Sequence, residues 1–230
     1  LGMANALLGR GAAALACHEH ALSADPQHGR ARYGRAQALQ ALHRIDEAIA
    51  GYEDQLIRHP DHHEARGSRL LALNYRDALP RETLFAEHAH YGELVEGTPA
   101  AVRARETAAM RFTPSEGRRL RLAFFSPDLR THAVACFLEP LLQNLDASQF
   151  EILLYHDHYT VDAVSERLQK LAAVWRNVVG QPLEAVEATM RADAPDVLVD
   201  LAGHTGFGRL PLFARRIAPV QITYLGYPNT

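Results

Sequence analysis

The chain has 230 residues, 47% of them hydrophobic and 22% charged, which is ordinary globular composition for one or two domains. Its 24 Lys and Arg against 27 Asp and Glu leave a net charge of −3, which argues against a protein built chiefly to grip nucleic-acid phosphates. No apolar run nears the roughly 20 residues that span a bilayer, and the first 20 residues lack the basic segment of a signal peptide. They read as the interior of a helix, so the sequence is expected to begin inside a longer protein. Cys17 and Cys136 lie far apart and form no CxxC pair, so a disulfide scaffold and a cysteine zinc site are not expected, and a reducing, cytoplasmic setting is.

The first third carries a repeat. Pro26 and Pro60 stand 34 residues apart, and the same offset pairs Gly2 with Ala36, Ala14 with Ala48, His18 with Tyr52, Leu22 with Leu56 and His28 with His62. A 34-residue period is that of the tetratricopeptide repeat, a helix-turn-helix unit. The small residues Ala14 and Ala48 let paired helices approach, Leu22 and Leu56 are expected to fill the seam, and the prolines end each second helix. Helix A of the second unit carries Arg32, Arg35 and Ala36 where the repeat's aromatic and glycine usually stand. The period then breaks. A helix to about Asn74, a turn at Leu79–Pro80 and a helix from Arg81 to Glu96 read as a capping pair. Residues 1–96 are therefore expected to form a helical repeat domain.

Residues 97–119 are polar, with Pro99, Pro114 and two glycines, and read as a junction. Beyond them the hydrophobic period changes. Segments 120–126, 150–156, 196–203 and 221–227 are short apolar runs suited to buried parallel strands, with 174–180 a weaker candidate. Helical patterns run between them: Val134–Leu145, Val161–Ala172, Leu183–Ala192 and Leu210–Arg215. Strands alternating with helices predict an α/β domain over 120–230, with a Rossmann-like parallel sheet. Ligands of such sheets meet the loops at the carboxyl ends of strands, here 126–133, 156–160, 203–209 and 227–230. These loops hold much of the His, Asp, Gly and Thr. No GxGxxG follows the first strand.

The segment LRLAFFSPDLRTHAVACFLEPLL, the run from Asp196 to Thr230, FEILLYH and LLALNYRDAL together resemble the O-linked N-acetylglucosamine transferases and their bacterial relatives, in order along nearly the whole chain. Tetratricopeptide repeats ahead of this region are that family's layout. The chain departs from the commonest pattern at Leu129, Ala133, His204 and Asn229, and the last three are loop positions that bear on donor or acceptor preference. The resemblance implies a two-domain (GT-B type) glycosyltransferase using a nucleotide sugar. Residues 120–230 would be most of its first Rossmann-like half. The second half, which carries most nucleotide contacts in the family, would lie outside these residues, so the fragment is expected to be inactive alone.

His132 matches the family histidine proposed as general base for the acceptor hydroxyl. The chemistry is reasonable, because His titrates near neutrality. The same residue could instead cap the following helix or position the sugar. Asp128 and Arg130 flank it; Asp128 could orient His132 or bind sugar, but a turn role is as natural. Gly203, His204, Thr205 and Gly206 form the loop after the fourth strand, where glycines admit close approach of a ligand or simply make a tight turn. Arg209 is expected to pair with a carboxylate such as Asp200, or with a phosphate. Tyr227, Asn229 and Thr230 end the fifth strand on the same side. Thirteen histidines are present, but the i, i+2 pairs His18/His20 and His88/His90 do not face one another on a helix, so no metal site is expected.

The expected activity is transfer of N-acetylglucosamine from its uridine diphosphate donor to Ser or Thr of proteins. The acceptor would lie in the repeat groove, and no cofactor is expected beyond the nucleotide sugar. Neither nucleic acid nor membrane is an expected partner. Two other readings stay open: a related transferase using another sugar, such as fucose, or an Asn acceptor, and a repeat scaffold that binds partners without chemistry.

Overall fold

A computed structural model describes residues 1–108, 117–205 and 209–227. The chain divides into two compact units, Leu1–Tyr91 and Gly92–Thr230.

The first unit is helical: α1 (Gly2–Leu7), α2 (Gly11–Ala24), α3 (Gly29–Ala41), α4 (Ile45–Arg58), α5 (His63–Leu73) and the greater part of α6 (Arg81–Glu96). The 34-residue offset recurs in packing and in polar contacts. Ala14 and Ala48 are both fully buried, as close helix approach requires. The His18 ring fills the space a Cβ at Gly2 or Gly34 would need, and Tyr52, its equivalent, is also fully buried. The turns repeat too. Arg32 donates to the Pro26 carbonyl at 2.7 Å and Arg66 to the Pro60 carbonyl at 2.8 Å. Arg35 pairs with Glu19 and Arg69 with Glu53, again one period apart. Arg32 and Arg35 of α3 thus tie neighbouring helices where the usual repeat has its aromatic and glycine. His28 and His62 are the N-caps of α3 and α5. Helices α2 and α4 end at Ala24 and Arg58, two residues before their prolines. Leu22 and Leu56 are only half-buried, and Arg32 places its Nε 2.9 Å from Asp54.

In the second unit α7 (Pro99–Ala108) precedes β1 (Leu120–Ser126), so part of the stretch read as a polar junction is a helix. Proline at its first position suits helix initiation. Then come α8 (Ala133–Asn144), β2 (Phe150–His156), α9 (Ala163–Leu171), β3 (Val174–Asn177), α10 (Leu183–Asp193), β4 (Val197–Asp200), α11 (Leu210–Ala214) and β5 (Val220–Thr223). All pairings are parallel, in the order β3-β2-β1-β4-β5. The fold is therefore tetratricopeptide-like helices followed by a doubly wound α/β sheet, as the sequence predicts. The fourth and fifth strands are shorter than their apolar runs. Beyond Thr223 the chain turns at Leu225, with φ of 66°, and Gly226 packs so tightly on the Leu201 backbone that a Cβ would collide with it.

Both faces of the sheet are covered, which is why its strands read as continuous apolar runs. Phe124, Leu154 and Val199 pack under α8 and α9 with Leu138, Leu142 and Leu168. Their neighbours Phe125, Tyr155 and Leu198 pack under α10 and α11 with Val186, Met190 and Leu212. From β1 the chain winds outward through β2 and β3, then returns to β4 and β5 on the other side. The winding direction reverses between β1 and β4, and their carboxyl ends form the crevice where such sheets hold ligands.

Candidate active site at the carboxyl edge of the sheet

The loop after β1 is held by its own short contacts. Buried Ser126 accepts the Asp128 N–H on its Oγ at 2.9 Å. Asp128, 7% exposed, then serves two neighbours: Arg130 Nη2 lies 3.4 Å from Oδ1, and His132 Nδ1 lies 3.7 Å from Oδ2. His132 is the N-cap of α8, and its Nδ1 accepts the Val134 N–H at 3.2 Å. An accepting Nδ1 carries no proton, so the neutral ring holds its proton on Nε2. The turn role of Asp128 and the capping role of His132 are observed, while an Nδ1 that accepts from Val134 leaves no hydrogen bond by which Asp128 would orient the ring.

The same loop is anchored from α9. Asp162 Oδ2 accepts the Thr131 N–H at 2.8 Å, and buried Ser165 donates its hydroxyl to the Leu129 carbonyl at 2.7 Å. The hydrogen bonds Asp162 accepts from Thr131, Ser165 and Val164 hold its carboxyl well below the usual carboxylate range, against the opposing cost of burial. Sequence reading passed over both residues. They form a capping box at the head of α9, but with Ser165 where the usual pattern has Glu or Gln it was not legible in the sequence.

At the end of β2, His156 is fully buried, donates from Nε2 to the Thr160 carbonyl at 2.8 Å, and lies against Trp175 with ring centroids 5.3 Å apart. Burial lowers the pKa of His156 and of His158 below the ordinary value. Arg209 forms a two-pronged pair with Asp157, 1% exposed, at 2.9 and 3.2 Å, and donates to the Gln181 carbonyl at 2.7 Å. The expected carboxylate partner is thus Asp157 rather than Asp200. Asp200 is engaged elsewhere, accepting the N–H groups of Ala202 and Gly203 at 3.0 and 2.9 Å. Its burial raises its pKa.

The loop after β4 is built as a tight turn. Gly203 has φ of 56°, and a Cβ there would strike Tyr227. The Thr205 hydroxyl donates to the Ala202 carbonyl at 2.6 Å. His204 meets Tyr227 edge to face, with centroids 5.1 Å apart. The structure therefore gathers Asp128, Arg130 and His132 on one loop and Gly203, His204 and Tyr227 at another, beyond adjacent strands of the same edge. Gly206, Asn229 and Thr230 lie outside the described residues. Among the described residues no group of three or more His, Cys, Asp or Glu could hold a metal ion, and no helix is long and apolar enough to cross a membrane.

Comparison with known proteins follows the same division. Residues 6–73 match a tetratricopeptide repeat model and residues 79–230 match the model of glycosyl transferase family 41. The chain is 32% identical over 186 residues to a rice protein named "Probable UDP-N-acetylglucosamine--peptide N-acetylglucosaminyltransferase SPINDLY", covering 79% of this chain and 20% of that one. A Caenorhabditis elegans UDP-N-acetylglucosamine–peptide N-acetylglucosaminyltransferase is 26% identical, covering 81% of this chain and 16% of its own. The structure of a mutant Thermobaculum terrenum O-GlcNAc transferase superposes with a TM-score of 0.82 at 29% identity, covering 99% of this chain and 43% of that one. The chain thus spans about a fifth of the length of the curated relatives it matches. With repeats, sheet and carboxyl-edge loops all falling in the matched order, the chain belongs to glycosyl transferase family 41.

Proposed function

We propose that this chain is the repeat region and first Rossmann-like half of a GT-B transferase that moves N-acetylglucosamine from a uridine diphosphate donor to Ser or Thr hydroxyls of proteins. The observation that carries the reading is the placement of His132, on Asp128, at the crevice where the sheet changes winding direction. The names of the family 41 relatives supply the donor and the acceptor class. The repeat unit adds a cavity of about 560 Å³ lined by Arg32, Arg35, Glu47, Asp54 and Arg58.

The geometry constrains what His132 does. While Nδ1 accepts from Val134, the free face of the ring is an Nε2–H donor, fit to hold a substrate oxygen. To take a proton at Nε2, the ring must first move its own proton to Nδ1 and give up the cap. Asp128 Oδ2, 3.7 Å away, is then the acceptor for Nδ1–H. On this reading the Nε2–H of His132 would hold a substrate oxygen by donation, and Asp128 is the partner a base role would call on.

The test is transfer of labelled N-acetylglucosamine from its uridine diphosphate donor to a Ser/Thr-containing protein by the intact protein. His132→Ala should lower kcat by about 10²-fold or more, in the range of a lost proton-transfer or positioning group. A folded variant within about threefold of wild type removes His132 from the site.

A further inference from the structure

Two hydrogen bonds fix the His132 loop from outside, and both come from the head of α9. Asp162 divides its carboxylate. Oδ1 accepts the Val164 and Ser165 N–H groups, each at 3.0 Å, which caps α9. Oδ2 is turned away from that helix and accepts the Thr131 N–H at 2.8 Å. Ser165 likewise has two tasks. Its Oγ accepts the Asp162 N–H at 3.2 Å and donates to the Leu129 carbonyl at 2.7 Å, with the whole residue fully buried. The tethered groups, Leu129 C=O and Thr131 N–H, lie between Asp128 and His132 in the chain. A helix cap needs neither of these outward bonds, since one side-chain oxygen suffices to cap a helix. Fixing a loop that carries reacting groups does need them, because loop backbone otherwise moves more than the elements it joins.

We propose that Asp162 and Ser165 are positioning residues for the sugar-transfer site, holding Asp128 and His132 at the carboxyl edge through Thr131 and Leu129. This rests on the reading of His132 given above. Displacements of about 1 Å at a reacting centre can cost about 10²-fold in rate, so the tether should show in kcat.

Asp162→Ser separates the two tasks. Serine caps a helix about as well as aspartate, but its single oxygen cannot also reach Thr131. Ser165→Ala removes the bond to Leu129 while Asp162 still caps α9, and Ser165→Thr keeps the hydroxyl. In the intact protein we expect Asp162→Ser and Ser165→Ala each to lower kcat about 10- to 100-fold. The donor KM should stay within about twofold and the melting temperature of Asp162→Ser near that of wild type, while Ser165→Ala should also lose some stability by leaving the buried Leu129 carbonyl unpaired, with Ser165→Thr recovering most of the rate. Amide exchange at Thr131 should quicken at least tenfold in Asp162→Ser. Combined with His132→Ala, Asp162→Ser should add little further loss, since positioning a group already removed has no effect. A losing variant whose effect multiplies fully with that of His132→Ala acts by general damage, and overturns the proposal. So does a folded Asp162→Ser with wild-type kcat in a protein where His132→Ala is impaired. If His132→Ala itself has wild-type activity, it is the underlying reading of the site that fails, and with it this proposal.

Discussion

His132 joins a helix cap, a nearby carboxylate and a second ring nitrogen, and substitutions can separate their roles. Asn caps helices well and offers amide donors but cannot exchange protons at neutral pH. His132→Asn should therefore keep α8 at wild-type stability, whereas His132→Ala should lose about 1 kcal/mol by removing the cap. If donation of a hydrogen bond is the role, His132→Asn should retain clearly more activity than His132→Ala; equal loss in the two variants points to proton transfer. Thermal melts beside steady-state kinetics read both quantities. Gly203 makes a second residue-scale case. Its φ of 56° costs an L-residue about 1–2 kcal/mol, and a Cβ would also strike Tyr227. Gly203→Ala should accordingly destabilise the second unit by at least that much and displace His204 from Tyr227, seen as a lower melting temperature and altered Tyr227 ring signals. Unchanged stability would mean the loop adopts another conformation.

At the scale of elements, the repeat and the sheet were legible in the sequence because each has a period that packing enforces. Ala14 and Ala48 stand where paired helices approach, Pro26 and Pro60 where one unit gives way to the next, and apolar runs such as 120–126 mark strands covered on both faces. What the sequence did not show were polar partnerships between distant segments. Arg209 has nothing near it in sequence to indicate Asp157, 52 residues away, and Arg35 is an anomaly within its repeat until Glu19 and the matching Arg69–Glu53 pair are seen in space. The helix α7 was missed because its run of small and charged residues lacks a strong apolar stripe. Histidines that folding buries, His156 fully and His18, His62 and His158 in part, link these elements to pH. His18 and His62 in the repeats and His156 and His158 in the sheet are all pushed below the ordinary histidine value, chiefly by burial. A histidine whose folded pKa is depressed binds protons more readily unfolded, at about 6.5. Its contribution to stability is whole above that value and falls away as pH drops through and below it. The melting temperature should thus fall as pH is lowered from about 7 toward 5, at constant ionic strength. A flat profile over that window would contradict the burial of these rings.

At the scale of the molecule, the chain spans about a fifth of its curated relatives and 43% of the matched bacterial structure. On the proposed reading the crevice between the β1 and β4 loops is one wall of the transfer site. On the proposed GT-B reading the nucleotide is held mainly by the opposite half, so residues 1–230 alone should bind uridine diphosphate weakly or not at all in calorimetry, and micromolar affinity would show that this half holds the nucleotide by itself. The measurement that bears most directly on the account is a transfer assay on the intact protein. Wild type and His132→Ala are compared, with circular dichroism as folding control, using labelled uridine diphosphate N-acetylglucosamine and a Ser/Thr protein acceptor. The account predicts label on hydroxyl side chains with wild type and a loss of about 10²-fold or more with a folded His132→Ala. No transfer by the intact wild-type protein from this donor, or equal transfer by the two proteins, would contradict it.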